Sequence, residues 1–270
     1  MASSHSSIKY WYIFLASFRE RLNSRSTIVA YGVMWSVRVL VLLLVYSFAF
    51  RYRGGSPVNG ITLPVALWSM AIYFIVISFD IRGLYKEISR DIRLGAIETK
   101  ITKPYQYVLY HVTYNCGRGS ASWLFVLLVT SVVLPLVAGL PPIALTSQVI
   151  VAGSLLLLMG SVIAILLYSA IGLSAVWLND SEPLYWIMDK AIMVLGGSYV
   201  PMALFAPSVR WFAEHSPWGA TMFITQIVNP DFIERWPQLV VSQIFWVVVM
   251  AIITTIIAKQ ANKQLSIHGG

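Results

Sequence analysis

The sequence predicts an all-α integral membrane protein of six transmembrane helices, with an interfacial helix before the first and a break in the fifth. Three observations carry this. Of 270 residues, 58% are hydrophobic and only 11% are charged, and the mean hydropathy of +0.73 goes with an apolar share well above that of a soluble domain. Six apolar stretches approach the roughly 20 residues with which a helix crosses a hydrocarbon core of about 30 Å. The connections between them are short, so residues 1–270 read as a single transmembrane domain with no nucleotide-binding domain.

The elements follow in chain order. Ile8, Trp11, Tyr12, Leu15, Phe18 and Leu22 recur at helical spacing, with Lys9, Arg19, Glu20 and Arg21 largely off that stripe. This predicts an interfacial helix over 8–22, or more plainly an amphipathic lead-in that only anchors. No uninterrupted apolar core precedes a small-residue cleavage site, so a removable signal peptide is not expected. The spans run approximately over 28–50, 63–81, 119–140, 148–178, 184–205 and 239–258. After the second, Ile81, Leu84, Tyr85, Ile88 and Ile92 form one stripe, so that span is expected to continue as an amphipathic helix. Gly95 is suited to end it, and Pro104 closes the short segment that follows. The fifth span contains "GGSYVP", where Gly196, Gly197 and Pro201 should bend or break the helix. In the last long connection, Trp211, Phe212, Trp218, Phe223, Phe232 and Trp236 are expected at the outer membrane interface.

Charge sets orientation and excludes several functions. The net charge is +8. With the N-terminus inside, thirteen Lys and Arg residues fall on the cytoplasmic side and four outside, which places both termini in the cytoplasm of a multi-pass cell-membrane protein. The cations lie between apolar spans rather than on a polar domain, so a nucleic-acid partner is not expected. Cys116 is the one cysteine, which rules out an intrachain disulfide, and no Cys/His cluster has metal-site spacing. His5, His111, His215 and His268 are scattered, without H-E-x-x-H or G-x-S-x-G, so no catalytic residue is assigned. No lysine follows a glycine anywhere, so the chain has no phosphate-binding P-loop; an ATP-driven role needs a separate subunit.

Ionisable residues within spans point to function by default. Arg38 lies about ten residues into the first span, some ~15 Å deep at 1.5 Å per residue. It must face protein, water or a partner. It either lines a path for an anionic or amphipathic substrate or is paired structurally, with Asp189 as the expected counter-ion. Asp80, Asp189 and Lys190 lie near the cytoplasmic ends of their spans, and no acid lies at mid-span, where a proton-coupled carrier would place one.

"RDIRLGAIETKITKP" resembles the signature that follows the second span in permease subunits of ABC-2-type transporters, with Gly95, Glu98 and Pro104 at matching positions. "GGSYVPMALFAPSVRWFAEHSPW", residues 196–218, resembles that family's broken fifth span and the re-entrant outer segment after it. Ala96 stands where a hydroxyl residue is common, and Lys100 where an aliphatic is usual. The resemblance implies a cytoplasmic coupling helix between spans 2 and 3, within 84–104. It also implies ATPase-coupling roles for Arg90, Asp91, Arg93, Gly95, Glu98, Lys100 and Pro104, and a transport path near Arg38, Asp189, Gly196, Gly197 and Pro201. The implied partners are ABC ATPase subunits that bind the ATP and Mg, membrane lipids, and a second ABC-2 permease in a heterodimer or, alternatively, a homodimer. The implied activity is export of a lipid, drug-like or peptide substrate, with no cofactor in this chain. A secondary carrier or channel subunit, or a non-transporting membrane scaffold, are the competing readings.

Overall fold

In the computed structural model the described residues are 2–52, 54–103, 105–144, 146–178 and 180–268. Of these, the side chains at 2–7, 25, 28, 31, 32, 35, 36, 39, 98, 101 and 265–268 stand outside the description. The described chain is helical, with no strand beyond a single bridge between Val58 and Ile61. Its helices are α1 (Ala2–Asn23), α2 (Arg25–Tyr52), α3 (Leu63–Ile77), α4 (Gly83–Arg93), α5 (Ala96–Ile101), α6 (Tyr107–Ala138), α7 (Ser147–Leu173), α8 (Glu182–Leu195), α9 (Pro207–Glu214), α10 (Pro217–Ala220) and α11 (Phe232–His268). Short 3₁₀ turns occupy Ser174–Val176, Met202–Leu204 and Phe223–Val228. The end of the bundle that holds α4 and α5 carries most of the Lys and Arg, and is called the basic end below.

Local chemistry sets several boundaries. Thr146 caps α7 by accepting a hydrogen bond from the Val149 backbone N–H at 3.3 Å. Gly139, at φ +77°, takes the chain out of α6. The long helices α6, α7 and α11 are apolar and long enough to cross a membrane. The segments expected as spans 2 and 5 are shorter as helices: α3 has 15 residues and α8 has 14, roughly 22 Å each at 1.5 Å per residue.

Helices α6 and α7 organise the packing. Along α6 lies α1, brought so close that a Cβ at Gly117 would fall on Ser17 Oγ and the Phe14 carbonyl. Arg21 Nε donates to Ser122 Oγ and Tyr114 Oη to Glu20, both at 3.0 Å. The opposite side of α1 leaves Ile8, Trp11, Tyr12 and Leu22 exposed. Along α7 lies α11, whose buried Gln243 donates to the carbonyls of Leu156 at 3.0 Å and Ala220 at 2.7 Å. Such a buried amide joins three elements where lipid offers no alternative partner. The core is built on Leu156, Ile163, Leu167 and Ile171 of α7, with Ile88, Ile192 and Phe223 packed into the same cluster. Apolar residues left exposed on α2, α6 and α11, such as Leu44, Phe48, Leu128, Leu136, Phe245 and Ile252, suit contact with hydrocarbon.

Three sequence expectations are corrected. The second span does not run on into the amphipathic helix: residues 78–82 break it, with Asp80 at φ +58°, and α4 starts as a separate element. Asp is one of the few residues that visit this left-handed region without glycine's help, so no Gly or Pro marks the break. Second, Phe223 and Phe232 sit in the core rather than at an interface, and only Trp211 and Phe212 of the expected aromatic set are strongly exposed. Third, Asp189 pairs with Arg82, not Arg38, as described below.

On the side away from the basic end, α9 is fastened to the start of α11 by a closed ring of charge. Arg210 reaches Glu214 at 3.0 Å and Asp231 at 3.3 Å, while Arg235 reaches Glu214 at 2.7 Å and Asp231 at 3.4 Å.

Candidate functional site

At the basic end, α4 and α5 form an elbow. The α4 apolar stripe is buried at Leu84, Tyr85 and Ile88. It packs on α7 so tightly that a Cβ at Gly172 would lie 2.8 Å from that of Ile88. Tyr85 stacks on Tyr185 with ring centroids 3.9 Å apart, and Ser181 Oγ donates to Ser89 Oγ at 2.8 Å, tying α4 to the start of α8 as well. Gly95, at φ +67°, turns the chain between α4 and α5, a conformation that glycine adopts without a Cβ penalty. At the outer corner Leu94 is 74% exposed, flanked by exposed Lys86, Arg90, Arg93, Thr99 and Lys103. Arg93 approaches Asp180 at 3.8 Å, but both are about half exposed, so the pair adds little stability.

The other side of α4 is polar and equally buried. Glu87 and Asp91, one helical turn apart, face a row on α6 made by Tyr107, His111, Asn115 and Arg118. His111 is 2% exposed and stands between the two acids, with Nδ1 3.1 Å from Glu87 Oε2 and Nε2 2.9 Å from Asp91 Oδ2. Tyr107 Oη donates to Asp91 Oδ2 at 3.0 Å, and Asn115 Nδ2 donates to Glu87 Oε2 at 2.8 Å. Lys100 of α5 donates to both Asp91 oxygens, at 2.8 and 2.7 Å. Arg118 lies 3.6 Å from Glu87 and 3.6 Å from Asp80. Asp91 therefore joins three helices. Burial pushes its carboxyl up, but the hydrogen bonds from Lys100 and Tyr107 and the charges of His111 and Lys100 outweigh burial. They hold the group below its ordinary value of 3.8.

The structure thus divides the residues singled out for coupling. Arg90, Arg93 and Gly95 are exposed, whereas Asp91 is 3% exposed and Lys100 half-buried against it, so these two hold the elbow from within. Pro104 and the Glu98 side chain lie outside the described residues. Sequence reasoning missed Glu87, His111 and Asn115. A signal was present: acids at 87 and 91 on one helix, and polar residues at 107, 111, 115 and 118 on another, each set on one helical face.

Of the expected path residues, Arg38 and Asp189 both lie near Tyr73 without forming the expected ion pair with each other. The Arg38 guanidinium lies over the Phe74 ring, 5.4 Å from its centroid. Asp189 is buried in α8, accepts from Tyr168 Oη at 2.9 Å and pairs with Arg82 at 3.9 Å. Arg82 and Tyr168 line a crevice between α3, α7 and α8 with about 380 Å³ of space including its open mouth. Gly196 ends α8, Gly197 at φ +90° reverses the chain, and Pro201 leads into the next 3₁₀ turn. The break is kept from solvent at 195–198, as irregular backbone at membrane depth must be. Tyr46 Oη of α2 donates to the Tyr199 carbonyl at 2.5 Å. Among the described residues no group of three or more His, Cys, Asp or Glu is arranged to hold a metal ion.

A search of curated proteins finds no match. The sequence profile of the family described as ABC-2 family transporter protein matches residues 34–269, from within α2 through α11, and so spans the elbow, the broken α8 and every long apolar helix. The chain belongs to the ABC-2 family of transporter proteins, as a multi-pass membrane permease.

Proposed function

We propose that this chain is the permease subunit of an ATP-driven exporter, and that the α4–α5 elbow is where it receives force from an ABC ATPase. Family membership implies association with such ATPase subunits. The observation that carries the reading is the elbow itself. An exposed apolar tip, Leu94, rimmed by cations, stands on a helix whose other faces are fixed to α6, α7 and α8. A rigid element that presents a small docking surface and is bonded to the bundle can convey a rigid-body motion. The elbow lies at the end that the Lys/Arg asymmetry assigns to the cytoplasm, where ATP is available. A second ABC-2 permease, related or identical, completes the path in the cell membrane. Arg38, the α8 break at Gly196, Gly197 and Pro201, and the Asp189 region belong to that path, and the cargo is lipid, drug-like or peptide in class. Catalysis of ATP hydrolysis falls to the partner, which holds the ATP and Mg.

Co-purification from membranes tests the reading. The wild-type chain should bring down a P-loop ATPase whose activity responds to the permease. Leu94→Glu should cut that recovery about ten-fold or more, as expected of an interface anchor, without changing the thermal stability of the permease. Transport that persists in ATP-depleted vesicles would instead favour a secondary carrier, and absence of any ATPase with the wild-type chain would favour a scaffold.

A further inference from the structure

We propose that His111 is the positioning residue of the elbow. As an imidazolium donating from both ring nitrogens, it bridges Glu87 to Asp91 and thereby fixes α4, and through Asp91 and Lys100 also α5, against α6. The inference rests on the permease reading for its consequence in transport, but not for its geometry.

The argument begins with donors and acceptors. A carboxylate only accepts, and both ring nitrogens of His111 lie within hydrogen-bond distance of carboxylate oxygens. A neutral imidazole has one N–H, so it satisfies one acid and turns a lone pair toward the other. The charges agree with the protonated form. Asp80, Glu87, Asp91 and Asp189 supply four negative charges, while Arg82, Lys100 and Arg118 supply three positive ones, and His111 is the group between Glu87 and Asp91 that balances the set. The remaining groups around the ring are neutral: Tyr107 and Tyr110 meet it edge-on at 4.7 and 5.2 Å, and Asn115 donates to the His111 carbonyl. With both acids buried, an unpaired charge here has no water to relieve it.

The connection then runs outward. Asp91 Oδ2 receives His111, Tyr107 and Lys100 together, and Lys100 is the one described side-chain hydrogen bond from α5 to the rest of the elbow. Removing the His111 charge loosens Asp91, and a loosened Asp91 frees α5.

Three variants test this in the purified permease and in the complex with its ATPase. In His111→Gln, one amide atom donates to a carboxylate and the other, an acceptor, abuts the second acid. In Glu87→Gln/His111→Gln the new amide at 87 donates to that acceptor, so the bridge is rebuilt without charge. Lys100→Met cuts only the α5 tether. Backbone hydrogen exchange over 96–101 should rise about ten-fold or more in His111→Gln and Lys100→Met, the scale of one charge-assisted hydrogen bond, and fall back toward wild type in the double variant. Transport per ATP hydrolysed should follow the same order. If His111→Gln does not fold, recovery of folding and exchange protection by the double variant supports the bridge equally well. Unchanged exchange in both single variants, or a double variant no better than His111→Gln, overturns the proposal. Absence of an ATPase partner for the wild-type chain would sink the permease reading alone, leaving the exchange data to decide the role of His111.

Discussion

Two charged clusters fasten short helices to the two ends of this bundle, and they do so differently. The ring of Arg210, Glu214, Asp231 and Arg235 is made of two guanidinium groups and two carboxylates, each cation shared by both acids, with side chains 14 to 42% exposed. It joins residues close in sequence, α9 to the start of α11. The knot of Glu87, Asp91, Lys100, Tyr107, His111 and Asn115 joins three helices, and its acids and histidine are nearly dry. Redundancy and water protect the ring, since losing one member leaves every survivor a partner or a solvent shell. The knot has several donors for each acid but little water, and Lys100, Tyr107 and His111 all converge on the one carboxylate of Asp91. Its groups depend on one another, which makes it stiff and also vulnerable to a single change.

The largest effect is therefore expected at its hub. Asp91→Ala would leave Lys100, His111 and Tyr107 without their shared acceptor, and breaking a buried pair in this way costs about 3 to 5 kcal/mol. Thermal unfolding in detergent should show a large loss, and a shift no greater than that of a surface variant would mean that the knot is wet. A smaller effect should follow on the apolar side of the same helix. At Gly172→Leu the side chain enters the space of Ile88 and should cost roughly 1 to 3 kcal/mol by overpacking. This variant sharpens the comparison by asking whether α4 is held mainly by charge or by packing.

The ring should respond least to substitution. In Arg235→Met both acids keep Arg210, so the loss should be about 1 kcal/mol or less. A cost equal to that of Asp91→Ala would erase the distinction between the clusters. The pH response separates them further. The Asp91 carboxyl is held below 3.8, and a depressed carboxyl gives stability that is complete above its ordinary value and lost as pH falls through the lower, folded one. On the acid side, exchange protection at 96–101, corrected for intrinsic rate, should therefore not be lost as pH is lowered to about pH 5 and should fall only below 3.8. Loss of protection already at pH 5 would contradict it.

The same contrast explains what was legible in the sequence. Apolar runs and the Gly196, Gly197 and Pro201 interruption announced the long helices and the broken α8, because these signals are local. The turn at Gly95 was legible for the same reason. The break at Asp80 was not, since aspartate carries the left-handed turn without the usual Gly or Pro. Counter-ion choice was misread for Asp189, because depth along a span does not say which neighbour a side chain meets. Arg82, just beyond the end of α3, meets it instead. The knot stayed hidden because half of its polar face belongs to α4 and half to the basic end of α6, two helices 14 residues apart or more, and scattered histidines carry no motif.

The central claim is that the elbow docks on an ATPase by its exposed corner while the knot behind it stays within the permease. A photoreactive amino acid placed at 94, and in a separate variant at 111, tests this in intact membranes. Position 94 should yield an adduct with a P-loop ATPase, and position 111 should yield only adducts within the permease. An ATPase adduct from 111, or none from 94 alongside normal transport, would contradict the account.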